Sequence, residues 1–354
     1  FCTLQQLKNS GIRLLSGHVP GNYEIDLEEN GVIENPFFGK NPLQSLDREM
    51  DHLFYARTFD FQPELGKVYL LSFEGIDTIA DIYLHGSWIA RTEIRLMDHI
   101  LEIEGDRFRT GENELFVHII PVSLEARKYD NPLFQNGLKY EMDSLNIRKS
   151  PYMFGWDIFP RMLSGGIWRS VTLTEKPQYA FLQSYLFTRN IEKDYSKCEL
   201  EYFFEMELND LPYHGFEIEV EGSCGTSRFL KKWDVWSKAG HFCFEVPSPA
   251  LWWPRRTGEP NLYQVEARLV RNGEVYARKN FRFGIRTVEL KKTSLTDEDG
   301  NGEFCFRVNH RKIFILGTNW VPLDSLPSRG RERIDPSLEL VTDLNCNMVR
   351  CWGG

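Results

Sequence analysis

Two stretches near the end of the sequence put side chains where chemistry could be done. "KIFILGTNWVP" (residues 312–322) reads as an apolar strand running into Asn319 and Trp320, and "NMVRCWGG" (residues 347–354) as a strand running into Arg350 and Trp352. An indole offers a flat apolar face, and a guanidinium offers a fork of donors to hydroxyls or a carboxylate. Between them, "DPSLELVTDLN" (residues 335–345) sets Asp335 at an N-cap position and Pro336 at the first helical position, with Leu340, Val341 and Leu344 on one face. Strand, helix, strand is a βαβ unit, which belongs to a parallel sheet or a (β/α)₈ barrel. In a barrel the carboxyl ends of the strands face the active site, so Asn319, Trp320, Arg350 and Trp352 read as part of its wall. The competing expectations are core packing for Trp352, a packing wedge for Trp320 and an ion pair behind the site for Arg350.

Other reactive residue types point to no site. "DEDGNG" (residues 297–302) matches the start of a calcium-binding loop, but Val308 stands where the bidentate glutamate should, so a polar hairpin turn is expected. The eight histidines form no H-x-x-x-H pair. Seven scattered cysteines with no C-x-x-C read as buried free thiols, which leaves the compartment open: periplasmic, secreted or lysosomal after removal of a signal peptide, otherwise cytoplasmic. Neither a metal nor another cofactor is expected.

The 354 residues are 42% hydrophobic and carry a net charge of −9. That length predicts two or three domains, and that charge argues against a nucleic-acid partner, whose phosphates must be neutralised by Lys and Arg. No apolar run is long enough to span a bilayer, so no membrane partner is expected. The chain begins on Phe1, which implies a trimmed amino end.

Most of the sequence alternates with period 2. "FYARTFDF" (54–61), "VYLLSFEG" (68–75), "IADIYLHG" (79–86), "ELFVHIIPV" (114–122) and "GIWRSVTL" (166–173) predict one β-sandwich, left near Lys176-Pro177. "CELEYFFEMEL" (198–208), "GFEIEVEG" (215–222), "HFCFEVP" (241–247) and the 262–284 hairpin around Asn272-Gly273 predict a second, immunoglobulin-sized sandwich.

Seven collinear segments, "HVPGNYEIDLEENGVIENPFFGKN", "FEGIDTIADIYLHG", "RKSPYMFGWDIFPRMLSGGIWRSVTL", "LWWP", "FGIRTVEL", "GTNWVPLDS" and "NMVRCWGG", resemble glycoside hydrolase family 2. Asn319-Trp320-Val321-Pro322 is similar to the β-mannosidase branch. The resemblance implies a mostly β chain: a jelly-roll, galactose-binding-like sandwich (1–176), an immunoglobulin-like sandwich (177–287) and the first strands and helix of a TIM-barrel catalytic domain (288–354). It implies the amino-terminal part of an exo-acting retaining β-mannosidase, which removes terminal non-reducing β-D-mannose from a glycan. Retaining hydrolysis needs two carboxyl groups about 5–5.5 Å apart. The family's two catalytic glutamates sit on later barrel strands, so none is assigned here and the chain alone is expected to be inactive. By the same resemblance, the "GWDIFPR" loop (155–161) reaches over the barrel mouth, with Trp156 and Asp157 contacting the terminal mannose. The usual Trp-Gly-Pro continuation is Ile158, Phe159 and Pro160 here, which puts the leaving-group side in question. The competing expectation for Asp157 is a buried loop cap. Competing functions are a non-catalytic carbohydrate-binding sandwich protein, a family 2 glycosidase of other exo-β specificity, and a structural or docking module; oligomeric state is left open.

Overall fold

The computed structural model describes residues 1–131, 142–209, 211–294, 298–299, 301–302 and 304–353. They form two compact units: Phe1–Lys176 with Val321–Leu338 and Trp352–Gly354, and Pro177–Trp320 with Glu339–Cys351.

The first unit opens with helix α1 (Leu4–Asn9), capped by the Thr3 hydroxyl, and α2 (Tyr23–Glu29). Strands follow: β1 (Leu53–Phe61), β2 (Val68–Phe73), β3 (Ile79–Leu84), β4 (Ser87–Thr92), β5 (His99–Glu104) and β6 (Gly111–Ile120), then helix α3 (Val122–Ala126) and strand β7 (Val171–Glu175). They make two antiparallel sheets, β1-β6-β3-β4 and β5-β2-β7. Ala80, Ile82 and Leu84 share one face of β3, and Val117 and Ile119 one face of β6; they meet Leu71 and Phe73 in the core of a jelly-roll sandwich. His85 and Gly86 both take positive φ between β3 and β4, the geometry of a two-residue hairpin. The strand expected at 166–173 starts only at Val171. Before it, Gly166 is held against the backbone of Gly21, where a Cβ would lie 2.6 Å from the Gly21 carbonyl oxygen.

The second unit contains β8 (Tyr179–Ile191), β9 (Lys197–Leu208), β10 (Phe216–Cys224), β11 (Ser227–Asp234), β12 (Ala239–Pro247), β13 (Tyr263–Arg271) and β14 (Glu274–Phe283). The sheets β12-β9-β8 and β11-β10-β13-β14 have the strand orders of an immunoglobulin-like sandwich. Period-2 alternation packs Leu200, Tyr202, Ile218, Val220, Val265 and Leu269 between them. Asn272 and Gly273 adopt positive φ and close the β13–β14 hairpin as the sequence predicts. The buried Tyr263 hydroxyl donates to Ser227 (2.6 Å) and accepts from the Ala250 amide (2.8 Å).

Beyond the sandwich run β15 (Val288–Lys292), β16 (Phe304–Val308), β17 (Arg311–Ile313) and β18 (Gly317–Trp320), then helix α4 (Ile334–Asp343) and β19 (Met348–Cys351). β15 and β16 pair antiparallel; of the polar turn expected between them, Asp297 and Gly300 lie outside the described residues. The single strand expected at 312–322 divides in two. β17 pairs antiparallel with β16, and the chain then changes partner at Phe314–Leu316, where the Asn347 side chain donates to the Phe314 carbonyl and accepts from the Leu316 amide, both at 2.9 Å. β18 and β19 pair in parallel, Asn319 opposite Arg350, as a βαβ unit requires. Asp335 lies inside the first turn of α4 rather than capping it, because a 3₁₀ turn (Arg331–Arg333) leads straight into the helix. Leu340 and Leu344, expected on its apolar face, are exposed.

Leu269 is fully buried. Leu269→Ala should destabilise the immunoglobulin-like sandwich by about 2–5 kcal/mol, read as a lower urea midpoint. An unchanged midpoint would mean that this core does not limit stability.

Candidate functional site

The "GWDIFPR" loop is a short antiparallel hairpin. Met162 donates to the Met153 carbonyl at 3.0 Å; further out, Trp156 and Phe159 exchange backbone hydrogen bonds at 3.0 and 3.1 Å. Asp157 and Ile158 are thus the two residues at its tip. Gly155 enters the hairpin with φ +112, a conformation that disfavours any side chain. At the base, Tyr152, Met153 and Phe154 are buried with Ile79, Val122, Ile147 and Leu163.

Trp352 packs partly buried on this cluster, and its ring meets that of Trp156 at 5.4 Å between centroids, inclined by 55°. The two indoles form a corner, and Trp156 keeps 41% of its surface exposed. Asp157 is exposed and, among the described residues, its carboxylate has no hydrogen-bond or ionic partner, so it caps no loop. In the second unit, Arg350 Nη1 donates to Asn319 Oδ1 at 3.2 Å and, among the described residues, pairs with no carboxylate. Both are exposed, and Trp320, opposite Cys351, is half-buried. The six anticipated residues are therefore brought together as Trp156 with Trp352 and Asn319 with Arg350, with Asp157 at the hairpin tip and Trp320 beside the second pair.

Sequence reasoning missed what stands behind the hairpin. The fully buried carboxylate of Asp77 accepts from Lys149 Nζ at 2.6 Å and Arg95 Nε at 3.2 Å. Arg95 also donates to the Ser150 hydroxyl and lies 4.7 Å over the Trp168 ring. Lys149 reaches the Ser164 carbonyl at 2.5 Å, and the Ser164 hydroxyl donates to Glu24 at 2.6 Å and accepts from Asn22 at 2.9 Å. Burial pushes Lys149 below the ordinary lysine range and lifts Glu24 to about 7. Residues 149 and 164 flank the hairpin, so this network ties both of its limbs to the sandwich. In front of it, Arg161 makes a two-point ion pair with Glu49, Nε–Oε1 2.7 Å and Nη2–Oε2 2.9 Å. In the sequence these charges look like any solvated strand or loop charge; only the short "RKS" run beside a proline hinted otherwise.

Among the described residues, one group offers three donors to a metal: His18, Asp26 and Glu29. His18 Nδ1 lies 3.0 Å from Asp26 and 3.3 Å from Glu29, and the hydrogen bond to Asp26 and the two negative charges raise the imidazole above its ordinary value. The group is an imidazole held in hydrogen-bond and ion-pair range of two carboxylates. No described helix is long and apolar enough to cross a membrane.

Residues 3–169 match the glycosyl hydrolase 2 galactose-binding domain-like family, and residues 190–286 match glycosyl hydrolases family 2. Beta-mannosidase B of Aspergillus clavatus is 30% identical over 346 residues, covering 95% of this chain and 40% of that protein. Beta-mannosidase B of Thermothelomyces thermophilus is 29% identical, covering 95% and 39%. The chain thus spans about 40% of the length of the curated relatives it matches. The crystal structure of the β-D-mannosidase of Dictyoglomus thermophilum superposes with a TM-score of 0.83 at 30% identity, covering 96% of this chain and 42% of that one. The exo-chitosanase of Amycolatopsis orientalis, at 18% identity and a TM-score of 0.62, shares the fold.

Removing one charge from the buried network should be severe. Asp77→Asn leaves Lys149 and Arg95 uncompensated and should cost about 3–5 kcal/mol, seen in the denaturant midpoint. Glu24 sets a pH dependence. Its carboxyl is neutral in the fold well above its ordinary value of 4.5, so its contribution is fully present below 4.5 and is lost as pH rises through about 7. Glu24→Gln, which mimics the neutral form, should flatten the decline in melting temperature from about pH 5 to about pH 8; parallel curves would refute a titrating Glu24.

Proposed function

The chain belongs to glycosyl hydrolase family 2, and on that premise we propose that it is the amino-terminal part of an exo-acting, retaining β-mannosidase that removes terminal non-reducing β-D-mannose from glycans. The observation that carries the proposal is the corner of Trp156 and Trp352, followed in sequence by an exposed Asp157 whose carboxylate has no partner among the described residues. Indole faces suit the apolar C–H face of a pyranose, and a carboxylate that spends no lone pair on the protein can accept from sugar hydroxyls. Such charge-assisted bonds reject sugars that lack the matched hydroxyl.

Asn319 and Arg350 are proposed to bind substrate as well, offering hydrogen bonds suited to sugar or carboxylate oxygens, with Trp320 offering an apolar edge. None of these residues is the nucleophile or the acid/base: both are glutamates supplied by barrel strands outside these 354 residues. The domain limits proposed are 1–176, 177–287 and 288–354; the matched extents of residues 3–169 and 190–286 support the first two.

The test is hydrolysis of p-nitrophenyl β-D-mannopyranoside by the full-length protein. Asp157→Ala and Trp156→Ala should each lower kcat/KM by roughly 100-fold, about 3 kcal/mol of transition-state binding. Cleavage of another β-glycoside but not the mannoside would move the specificity within the family. Full activity in both variants would remove the hairpin from substrate recognition.

A further inference from the structure

The hairpin that presents Trp156 and Asp157 is held by little backbone of its own. Its return limb carries Pro160, which has no N–H to donate, between the rungs at Phe159 and Met162. The Arg161 side chain supplies the missing tie. Nη1 donates to the Phe154 carbonyl on the opposite limb at 3.4 Å, and the guanidinium lies 5.6 Å from the centroid of the buried Phe154 ring. Nε and Nη2 engage both oxygens of Glu49, and Nη2 is also 3.4 Å from Asp143. The Arg161 and Glu49 side chains are 20% and 13% exposed, so solvent screens this pair far less than a surface ion pair. A planar fork held at both carboxylate oxygens fixes the direction of the guanidinium as well as its distance, which a lysine ammonium cannot do.

We infer that Arg161 and Glu49 are positioning residues, a clamp that sets the angle of the Trp156–Asp157 hairpin and thereby the fit of the sugar. The clamp touches no substrate; its effect on catalysis rests on the β-mannosidase reading, while its effect on the hairpin does not.

The experiment uses Arg161→Lys and Glu49→Gln in the full-length protein, labelled with 5-fluorotryptophan. The Trp156 fluorine resonance is assigned by its loss in Trp156→Phe. Both variants should shift or broaden that resonance and leave most of the other tryptophan resonances in place. They should also raise KM for p-nitrophenyl β-D-mannopyranoside about tenfold with kcat within about twofold, because a loosened hairpin weakens ground-state and transition-state binding alike. An unmoved Trp156 resonance in both variants overturns the clamp. Broadening of every tryptophan resonance with a lowered melting temperature overturns it too, since the pair then merely supports the fold. If the wild-type protein cleaves no β-mannoside, the functional reading fails, and the resonance alone decides whether the clamp stands.

Discussion

The Asp77 side chain is fully buried in the first unit, and its one negative charge must answer two positive ones. Lys149 and Arg95 both reach it from residues that the chain visits far apart, and burying any one of the three alone would cost several kcal/mol. That requirement makes the arrangement all-or-none. Once Asp77 is in place, the backbone around residue 149 has one position, because Lys149 must also meet the Ser164 carbonyl. Fixing residues 149 and 164 fixes the two ends of the segment between them, and that segment is the hairpin with Asp157 at its tip. The geometry of the exposed surface is thus decided by an interaction buried beneath it.

The neutral carboxyl of Glu24 complements this charge balance. With two cations against one carboxylate, an ionised Glu24 would even the count, yet burial lifts its carboxyl to about 7 and, among the described residues, its Oε1 finds no partner. Two helix-side residues, Asn22 and Glu24, share the Ser164 hydroxyl, so α2 is tied into the same system.

In the two sandwiches, alternation reveals every strand that lies inside its sheet, and of the edge strands also β1, β7, β12 and β14. β2, β3, β6, β9, β10 and β13 lie inside their sheets, flanked on both sides, and their buried faces read off directly with period 2. β4, β5, β8 and β11, which the sequence does not announce, are all sheet edges. β5 leaves Ile100 exposed, β11 carries a run of charges, and β8 contains two register shifts that throw its apolar residues out of phase. The candidate site divides likewise. Trp156 and Trp352 stand out as large residues beside turns, and family resemblance singles out Asp157. Asp77, Lys149, Arg95, Glu24 and the Arg161–Glu49 pair have no such mark, because a charge that is buried and a charge that is solvated look the same until a fold brings its partner.

The meeting of Trp156 and Trp352 also orders events in time. The residues beneath Trp352 all lie between positions 79 and 163, so their cluster can assemble as soon as the first sandwich has left the ribosome. Trp352 itself is made only after the whole immunoglobulin-like sandwich, and at about 5–20 residues per second the wait lasts roughly 10–40 s. For that interval the nascent chain carries a finished sandwich whose second apolar cluster lacks Trp352 and whose Trp156 indole has no aromatic partner. The contact that completes the aromatic corner is therefore also the one that ends a period of vulnerability during synthesis.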